Sequence, residues 1–509
     1  MSSNFAEGRT VEAPLETLKT VLDEALPGSA LIDAEFDNTM LEYSDVRMVM
    51  EGEAKLTLSK FDAVPKPRRT LKPKLRTSAA PGREPTARGA LASLIKRNFG
   101  ADYIASPLGF REFAKRALEN MMDVFCVDDW RERVKQFEPI RPSKEAVAEW
   151  ARAQNTTTLS ALEKVEWEHA QANLQESVEV YELILKSMPK TATDDKPLSA
   201  IPAVQTIMFH PKYINAFFGP ITRSADKRFR SLLRSNCLIN KGKNLDTIEN
   251  FLKTQYMSGF GGLNVENDFS NYDRSQGELA LFLDLAFLAL MGVDEDTMDL
   301  WLRGHCRSTN ISYRLGIVVY LWMQRKSGDV MTSDGNTRYN MTSLAYCLRL
   351  KSEEVVCSMF LGDDSFFQLI DSKSLRMRVK DCAERLGVIF NATAKTLYSQ
   401  IGYFCGYFIL ETADGPVVAS DPYRRIVKLG RWDIRSRDLL KEHWISFKDT
   451  LRNYERLDVQ EALAEACLER MPRTTVGVNE LAVASLYTLK KSYKEFLQFW
   501  EDKISITYY

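Results

Sequence analysis

The sequence predicts an α+β fold, an antiparallel sheet set among many helices, and three observations predict it. Apolar residues recur at helical spacing over about 105–185, as in Phe110, Phe113, Leu118, Met121, Met122 and Phe125, and a helical stretch is expected over about 213–233. Residues 355–361 and 366–370 are two apolar, β-favouring runs on either side of a Gly-led turn, which reads as strand, turn, strand. Residues 263–269 alternate like a further strand and turn through 270–276 into an apolar helix that begins near Gly277.

The 509 residues are enough for about three domains or for one large enzyme with subdomains. The formal charge is −1 and the sequence pI about 6.5, so no global positive field draws the chain to a polyanion, and any such site must be a local patch. The eight cysteines contain no Cys-x-x-Cys and only four histidines accompany them, a pattern of reduced thiols that argues against structural zinc.

In chain order, residues 1–60 are mixed and acidic, without a legible motif and without the basic-then-apolar pattern of a secretory signal. Lys66, Arg68, Arg69, Lys72, Lys74 and Arg76 follow, punctuated by Pro65, Pro67 and Pro73, with Arg83, Arg88, Lys96 and Arg97 beyond. The prolines keep this segment extended, either as a ribbon that follows a phosphate backbone or as a solvated basic linker. Lys186, Lys190 and Lys196 ride on a polar, Pro-interrupted loop suited to a triphosphate, although the same residues suit an ordinary loop. Residues 201–211 lean towards β structure. No Gly-x-x-x-x-Gly-Lys-Ser/Thr exists, which argues against a phosphate-loop ATPase. His169, His210, His305 and His443 lack metal-ligand spacing and read as structural. The longest apolar run, 280–291, is interrupted by Asp284 and is shorter than the roughly 20 residues of a membrane span.

The chemistry gathers around Gly362-Asp363-Asp364 at the hairpin tip. Two adjacent carboxylates repel one another unless a cation neutralises them, which makes a divalent metal the natural partner. The tripeptide alone is a weak signal, expected by chance in roughly one chain in ten of this length. A second acidic pair lies upstream, with Asp268 at the end of the 263–269 strand and Asp273 about one helical turn on. If the two elements are neighbours, Asp268 and Asp363 jointly hold two metals about 4 Å apart, the arrangement used for in-line phosphoryl displacement. Glu266 lies one pleat, nearly 7 Å, behind. Between these elements, Ser327-Gly328 forms a flexible loop ahead of a helix on which Thr332 and Asn336 share one face. With Asp273 they suit recognition of a ribose 2′-hydroxyl, whereas Ser-Gly-Asp read alone is a loop signal.

In this order and spacing, Asp268-x4-Asp273, Ser327-Gly328-x3-Thr332-x3-Asn336-Thr337 and Gly362-Asp363-Asp364 resemble motifs A, B and C of viral RNA-dependent RNA polymerases. The stretches 268–276, 324–329 and 402–408 resemble the alphavirus-like supergroup, and closteroviruses and tobamoviruses in particular. Similarity extends to 74–77, 95–99, 205–207 and 421–430, and so covers most of residues 70–430.

The resemblance implies a right-hand architecture: an N-terminal extension (1–60), fingers with basic template- and nucleotide-binding segments (61–262), a palm with motifs A to E (263–430) and a helical thumb (431–509). It implies template-directed RNA synthesis by two-metal nucleotidyl transfer, replicating a positive-strand RNA virus genome, with Mg²⁺ as cofactor and Mn²⁺ as a substitute. By position, Asp268 and Asp363 are the implied principal metal ligands and Asp364 assists. Asp273, Ser327, Gly328, Thr332 and Asn336 select ribonucleotides, and Lys186, Lys190 and Lys196 meet the triphosphate. Lys395 is the implied proton donor to pyrophosphate. Lys72, Lys74, Arg76, Lys96 and Arg97 contact template, and Tyr403 and Cys405 lie in the segment that grips the priming end.

Implied partners are the RNA template and nascent RNA, ribonucleoside triphosphates, and viral methyltransferase and helicase proteins. With no membrane span of its own, the chain is expected in the host cytoplasm, at membrane-associated replication complexes reached through partners. Two departures stand out: Arg274 where relatives usually carry Lys, and Asp334 where they usually carry an apolar or aromatic residue. A reverse transcriptase and a non-catalytic RNA-binding scaffold are the competing readings. Asn336 and the Gly before the Asp pair favour RNA synthesis over the first, and the intact acidic set speaks against the second.

Overall fold

The computed structural model describes residues 11–25, 54–56, 68–75, 77, 87–99, 109–153, 177–186, 205–259, 262–270, 272–431 and 433–507. It is an α+β structure whose centre is a five-stranded sheet in the order Thr393–Ser399, Gly262–Ser270, Asp364–Ile370, Val355–Leu361, Cys237–Ile239. All pairings are antiparallel except the last, in which Cys237–Ile239 runs parallel to Val355–Leu361.

Strand pleating gives this sheet two different faces. Leu263, Val265, Phe360, Phe367 and Leu369 point to one side, where Phe110–Phe125, Lys212–Leu232, Glu278–Leu290, Thr332–Cys347 and Lys373–Phe390 bury their apolar stripes. Met359 and Phe366 point to the other, against the helix Leu245–Gln255 and a three-stranded sheet of Gly402–Phe404, Tyr407–Thr412 and Gly415–Ser420. Burial on both faces explains why 355–361 and 366–370 read as nearly continuous apolar runs.

A second five-stranded sheet runs Ala54–Leu56, Ile317–Trp322, Arg307–Ser312, Val180–Leu185, Thr206–Phe209. It corrects the helical expectation for the end of 105–185, because Val180–Leu185 is a strand with every second residue buried. The alternating pattern of Tyr181, Leu183 and Leu185 carries that signal. The expected helix over 213–233 is Lys212–Leu232, and the apolar run at 280–291 falls in the buried helix Glu278–Leu290. Among the described residues no helix is long and apolar enough to cross a membrane.

Two N-terminal segments are held by distant parts of the chain. Pro14–Ala25 buries Leu18, Val21, Leu22 and Ala25 in the core formed by the C-terminal helices Leu457–Arg470 and Val476–Lys491. The Pro-punctuated segment is extended, as Arg68–Pro73, and is a strand paired antiparallel with Trp500–Thr507. The region read as a helical thumb therefore also contains a strand.

Candidate functional site

The hairpin tip is built by a two-residue turn. Leu361 pairs with Asp364, so Gly362 and Asp363 are its two central residues. Gly362 has φ 61, a conformation disfavoured for side chains with a Cβ, and this explains the Gly before the acidic pair. Asp364 begins the returning strand.

Register brings the other acidic strand alongside. Ser365 pairs with Asn267 and Phe366 with Glu266, so one further step sets Asp364 across from Asp268. On the other side of Asp268, Lys395 is its direct partner in Thr393–Ser399. Directly opposed residues share a face, so Lys395, Asp268 and Asp364 form a row across three strands, with Asp363 on the adjoining turn. The row's three side chains are exposed. Among the described residues, no three carboxylate, thiol or imidazole groups converge tightly enough to form a metal cluster.

The turn is anchored from below by the helix Thr332–Cys347. The Thr337 hydroxyl accepts the Gly362 N–H at 2.9 Å. Asn340, fully buried, donates its amide to the carbonyls of Gly362 at 3.1 Å and Asp364 at 3.3 Å. Asn340 was not singled out from the sequence, although its i, i+4 spacing from Asn336 places both on one side of the helix. From above, the two-residue turn Cys405-Gly406, with φ 53 and 82, closes a second hairpin near the acidic tip. Burial pushes the Cys405 thiol pKa up, and the adjacent Asp364 and Asp363 charges add to the shift.

Ser327 and Thr332 are engaged by the backbone. Ser327 donates to the Thr206 carbonyl at 2.7 Å and accepts from the Met208 N–H at 3.3 Å. Gly328 donates to the Met208 carbonyl at 2.8 Å, and a Cβ there would lie 2.8 Å from that same oxygen. Thr332 donates to the Lys326 carbonyl. These groups lock the loop onto the strand Thr206–Phe209. Asn336 accepts at Oδ1 from Arg325 Nη1 at 2.8 Å, and its carbonyl accepts from the Tyr272 hydroxyl at 2.7 Å. Asp273 lies in the short helix Tyr272–Ser275, and its side chain is outside the described residues.

Beneath the loop lies a buried polar cluster formed by Tyr181, His210, His305, Lys326 and Asp329. His305 sits 2.9 Å from Asp329, Tyr181 stacks on His210 with ring centroids 3.8 Å apart, and the Lys326 ammonium is 5.5 Å from the Tyr181 ring. Burial drives Lys326 down to about 7 and His210 down to about 4, with Asp329 opposing in both cases. Burial would raise Asp329, but the His305 hydrogen bond and the nearby imidazoles outweigh it and bring it to about 2. Asp334, the unusual charge, is buried and paired with Lys241 at 2.7 Å, with Arg230 3.9 Å away.

The expected nucleic-acid contacts are spread widely. Lys186 is exposed, with Gln205 Oε1 3.4 Å from its Nζ; Lys190, Lys196 and Arg76 lie outside the described residues. Lys72 stands 3.9 Å from Glu501 and Lys74 is exposed, both beside the C-terminal strand. Lys96 and Arg97 end the helix Ala87–Arg97, and the side chain of Lys96 is outside the described residues. The next residue, Asn98, bonds Gln324 and Thr206, both at 3.1 Å, which docks this helix on the Ser327 loop. Tyr403 is buried, donates to Asp421 at 2.9 Å and lies under Arg470, whose guanidinium is 3.5 Å from the ring centroid. Arg470 also grips both oxygens of Glu266, at 2.7 and 2.9 Å, tying the C-terminal helices to the strand that carries Asp268. Burial raises Glu266, and Arg470 pulls it back.

A hairpin of paired carboxylates, an Asp-bearing strand in register beside it and a Ser-Gly loop leading into the helix beneath them belong together in one class of protein. The chain is a member of the RNA dependent RNA polymerase family, whose model matches residues 43–499. It is 30% identical over 480 residues to the replicase large subunit of Tobamovirus Ob, covering 91% of this chain and 29% of that protein. It is 30% identical over 459 residues to that of Youcai mosaic virus (89% and 28%), and 28% identical over 492 residues to that of tomato mosaic virus strain L (95% and 28%). The chain thus spans under a third of the length of these relatives. The resemblance to alphavirus-like viral polymerases read from the motifs is borne out.

Proposed function

We propose that this chain carries out template-directed RNA synthesis in the replication of a positive-strand RNA virus. The observation that carries the reading is the row Lys395, Asp268 and Asp364 with Asp363 on the adjoining turn, in a chain of this family. In the reaction, a 3′-hydroxyl attacks the α-phosphorus of a ribonucleoside triphosphate. One P–O bond forms, the bond to the β-phosphate oxygen breaks, and pyrophosphate leaves.

The donor set suits a hard divalent cation: three carboxylates on adjacent backbone, without competing thiolate or imidazole in the row. Asp268, Asp363 and Asp364 would hold Mg²⁺, or Mn²⁺ in its place, which when bound neutralises phosphate charge and sharpens the 3′-oxygen as a nucleophile. Lys395, beside Asp268, is positioned to give a proton to the departing pyrophosphate. Asn336 and Asp273 recognise the 2′-hydroxyl, while Ser327, Gly328 and Thr332 fix the loop that frames them. Lys186, Lys190 and Lys196 meet the triphosphate, and Lys72, Lys74, Arg76, Lys96 and Arg97 meet template phosphates. Tyr403 supports the hairpin whose tip, at Cys405, approaches the primer end.

In hand-like terms we assign residues 61–262 to fingers, 263–430 to palm and 431–509 to thumb, with Cys237–Ile239 joining the palm sheet. Methyltransferase and helicase proteins would be partners in a cytoplasmic, membrane-associated complex. The test is primer extension on a defined RNA template with Mg²⁺ or Mn²⁺, comparing wild type with Asp363→Ala. The variant is expected to lose extension by several orders of magnitude. Full extension at saturating Mg²⁺ would refute the mechanism, and preference for deoxynucleotides would point to a reverse transcriptase.

A further inference from the structure

We propose that Arg325, locked by the buried carboxylate of Asp284, is a positioning residue that fixes which atom of Asn336 is offered to the nucleotide sugar, and so sets the preference for ribose. The inference rests on the polymerase reading and adds to it a residue pair outside the acidic row.

Asp284 interrupts the apolar helix Glu278–Leu290 and is 1% exposed, so its charge requires compensation. Two arginines supply it. Arg325 donates through Nη2 to one oxygen, and Arg338 donates through Nη2 to the other at 3.2 Å. Arg338 is further held over the Phe287 ring at 3.8 Å. Arg325 is 5% exposed and also approaches the Ala280 carbonyl at 3.4 Å, which leaves its guanidinium plane little freedom. Its Nη1 then points to Asn336, 2.8 Å away.

A guanidinium has donors and no acceptor, so the Asn336 atom it meets must be the carbonyl oxygen. The NH₂ group is thereby turned the other way. Among the described residues Asn336 Nδ2 has no hydrogen-bond partner, and the Tyr272 hydroxyl pins the same residue's backbone. Asn336 is thus presented as a donor, suited to the oxygen of a 2′-hydroxyl and unable to gain anything from a 2′-deoxy carbon. If Arg325 moves, the amide is free to flip and the preference weakens, even though Asn336 itself remains.

The test measures single-nucleotide incorporation of matched ribo- and deoxyribonucleotides, as a ratio of kcat/KM values, in four proteins. Arg325→Lys keeps the charge beside Asp284 but removes the planar fork that reaches both partners. Gly335→Ala places a methyl carbon 2.8 Å from the Arg325 guanidinium carbon and displaces it without changing any charge. Arg338→Lys disturbs the same carboxylate without touching Asn336. The ribo-to-deoxy ratio is expected to fall tenfold or more in the first two variants and to stay within twofold of wild type in the third. A purely structural role would lower both substrates together and leave the ratio fixed, and that result overturns the inference, as does an equal fall in Arg338→Lys. A wild type that incorporates neither substrate would instead overturn the polymerase reading on which the inference stands.

Discussion

Replacing Asn340 tests whether the acidic turn is held from beneath. Its amide is fully buried and donates to two carbonyls, those of Gly362 and Asp364. In Asn340→Ala both bonds are lost, at about 1 kcal/mol each, with a further ~1 kcal/mol for carbonyls left unpaired, so a cost of about 2–3 kcal/mol is expected. Unfolding entropy of about 2.1 cal/mol/K per residue makes this only ~2–3 °C in melting temperature for a chain of this length. Activity is the sharper readout, since a shift of about 1 Å in a reacting group costs ~10²-fold in rate. Asn340→Asp discriminates further: it is nearly isosteric but turns an acceptor towards two carbonyls, and should be worse than alanine. Both are assayed by single-turnover nucleotide incorporation beside a thermal melt. Incorporation within twofold of wild type in both variants would refute the claim that this side chain positions Asp363 and Asp364.

Four further outcomes follow from the geometry. His210 is neutral in the folded protein down to about pH 4, whereas the unfolded chain takes up its proton near 6.5; stability should therefore fall as pH drops through that window, and a His210→Asn variant should flatten the slope in urea titrations. Lys326 gives the same sign in a higher window: folded, it loses its proton near 7, the unfolded chain keeps it to about 10.5, and stability therefore rises with pH between the two. Gly328→Ala would push a methyl group against the Met208 carbonyl and the Phe209 side chain, costing about 1–3 kcal/mol and lowering incorporation of every nucleotide alike. For Asp334 and Lys241, a double-mutant cycle should give a coupling under about 1 kcal/mol because Lys241 is half exposed; a much larger value would show the pair to be shielded from solvent.

The features legible in the sequence are those whose cause is local. The turn at Gly362-Asp363 needs a positive φ at its first position and two β-favouring flanks, all within a few residues. The strand ending at Ser270 likewise announces itself by alternation. What escaped depends on partners far along the chain. Nothing near Arg68–Pro73 says that its partner is Trp500–Thr507, and proline spacing indicated extension without a neighbour. Asp284 looked like a flaw in an apolar run because its counterions, Arg325 and Arg338, arrive from another element. Ser327 and Thr332 were read for what their hydroxyls offer a ligand, while the folded loop uses both hydroxyls on backbone carbonyls. A hydroxyl in a motif does not disclose which partner it meets.

The pairing of Arg68–Pro73 with Trp500–Thr507 also bears on how the protein is made. The cost of closing a loop grows with its length, and contacts this remote in sequence cannot assist early steps of folding. On a ribosome, Arg68–Pro73 emerges long before its partner strand exists, as does the apolar stripe of Pro14–Ala25 before the Val476–Lys491 helix. Until then both present unpaired backbone or bare apolar surface of the kind chaperones recognise. Synthesis of this chain is therefore a period of exposure, ended when the C-terminal strand docks.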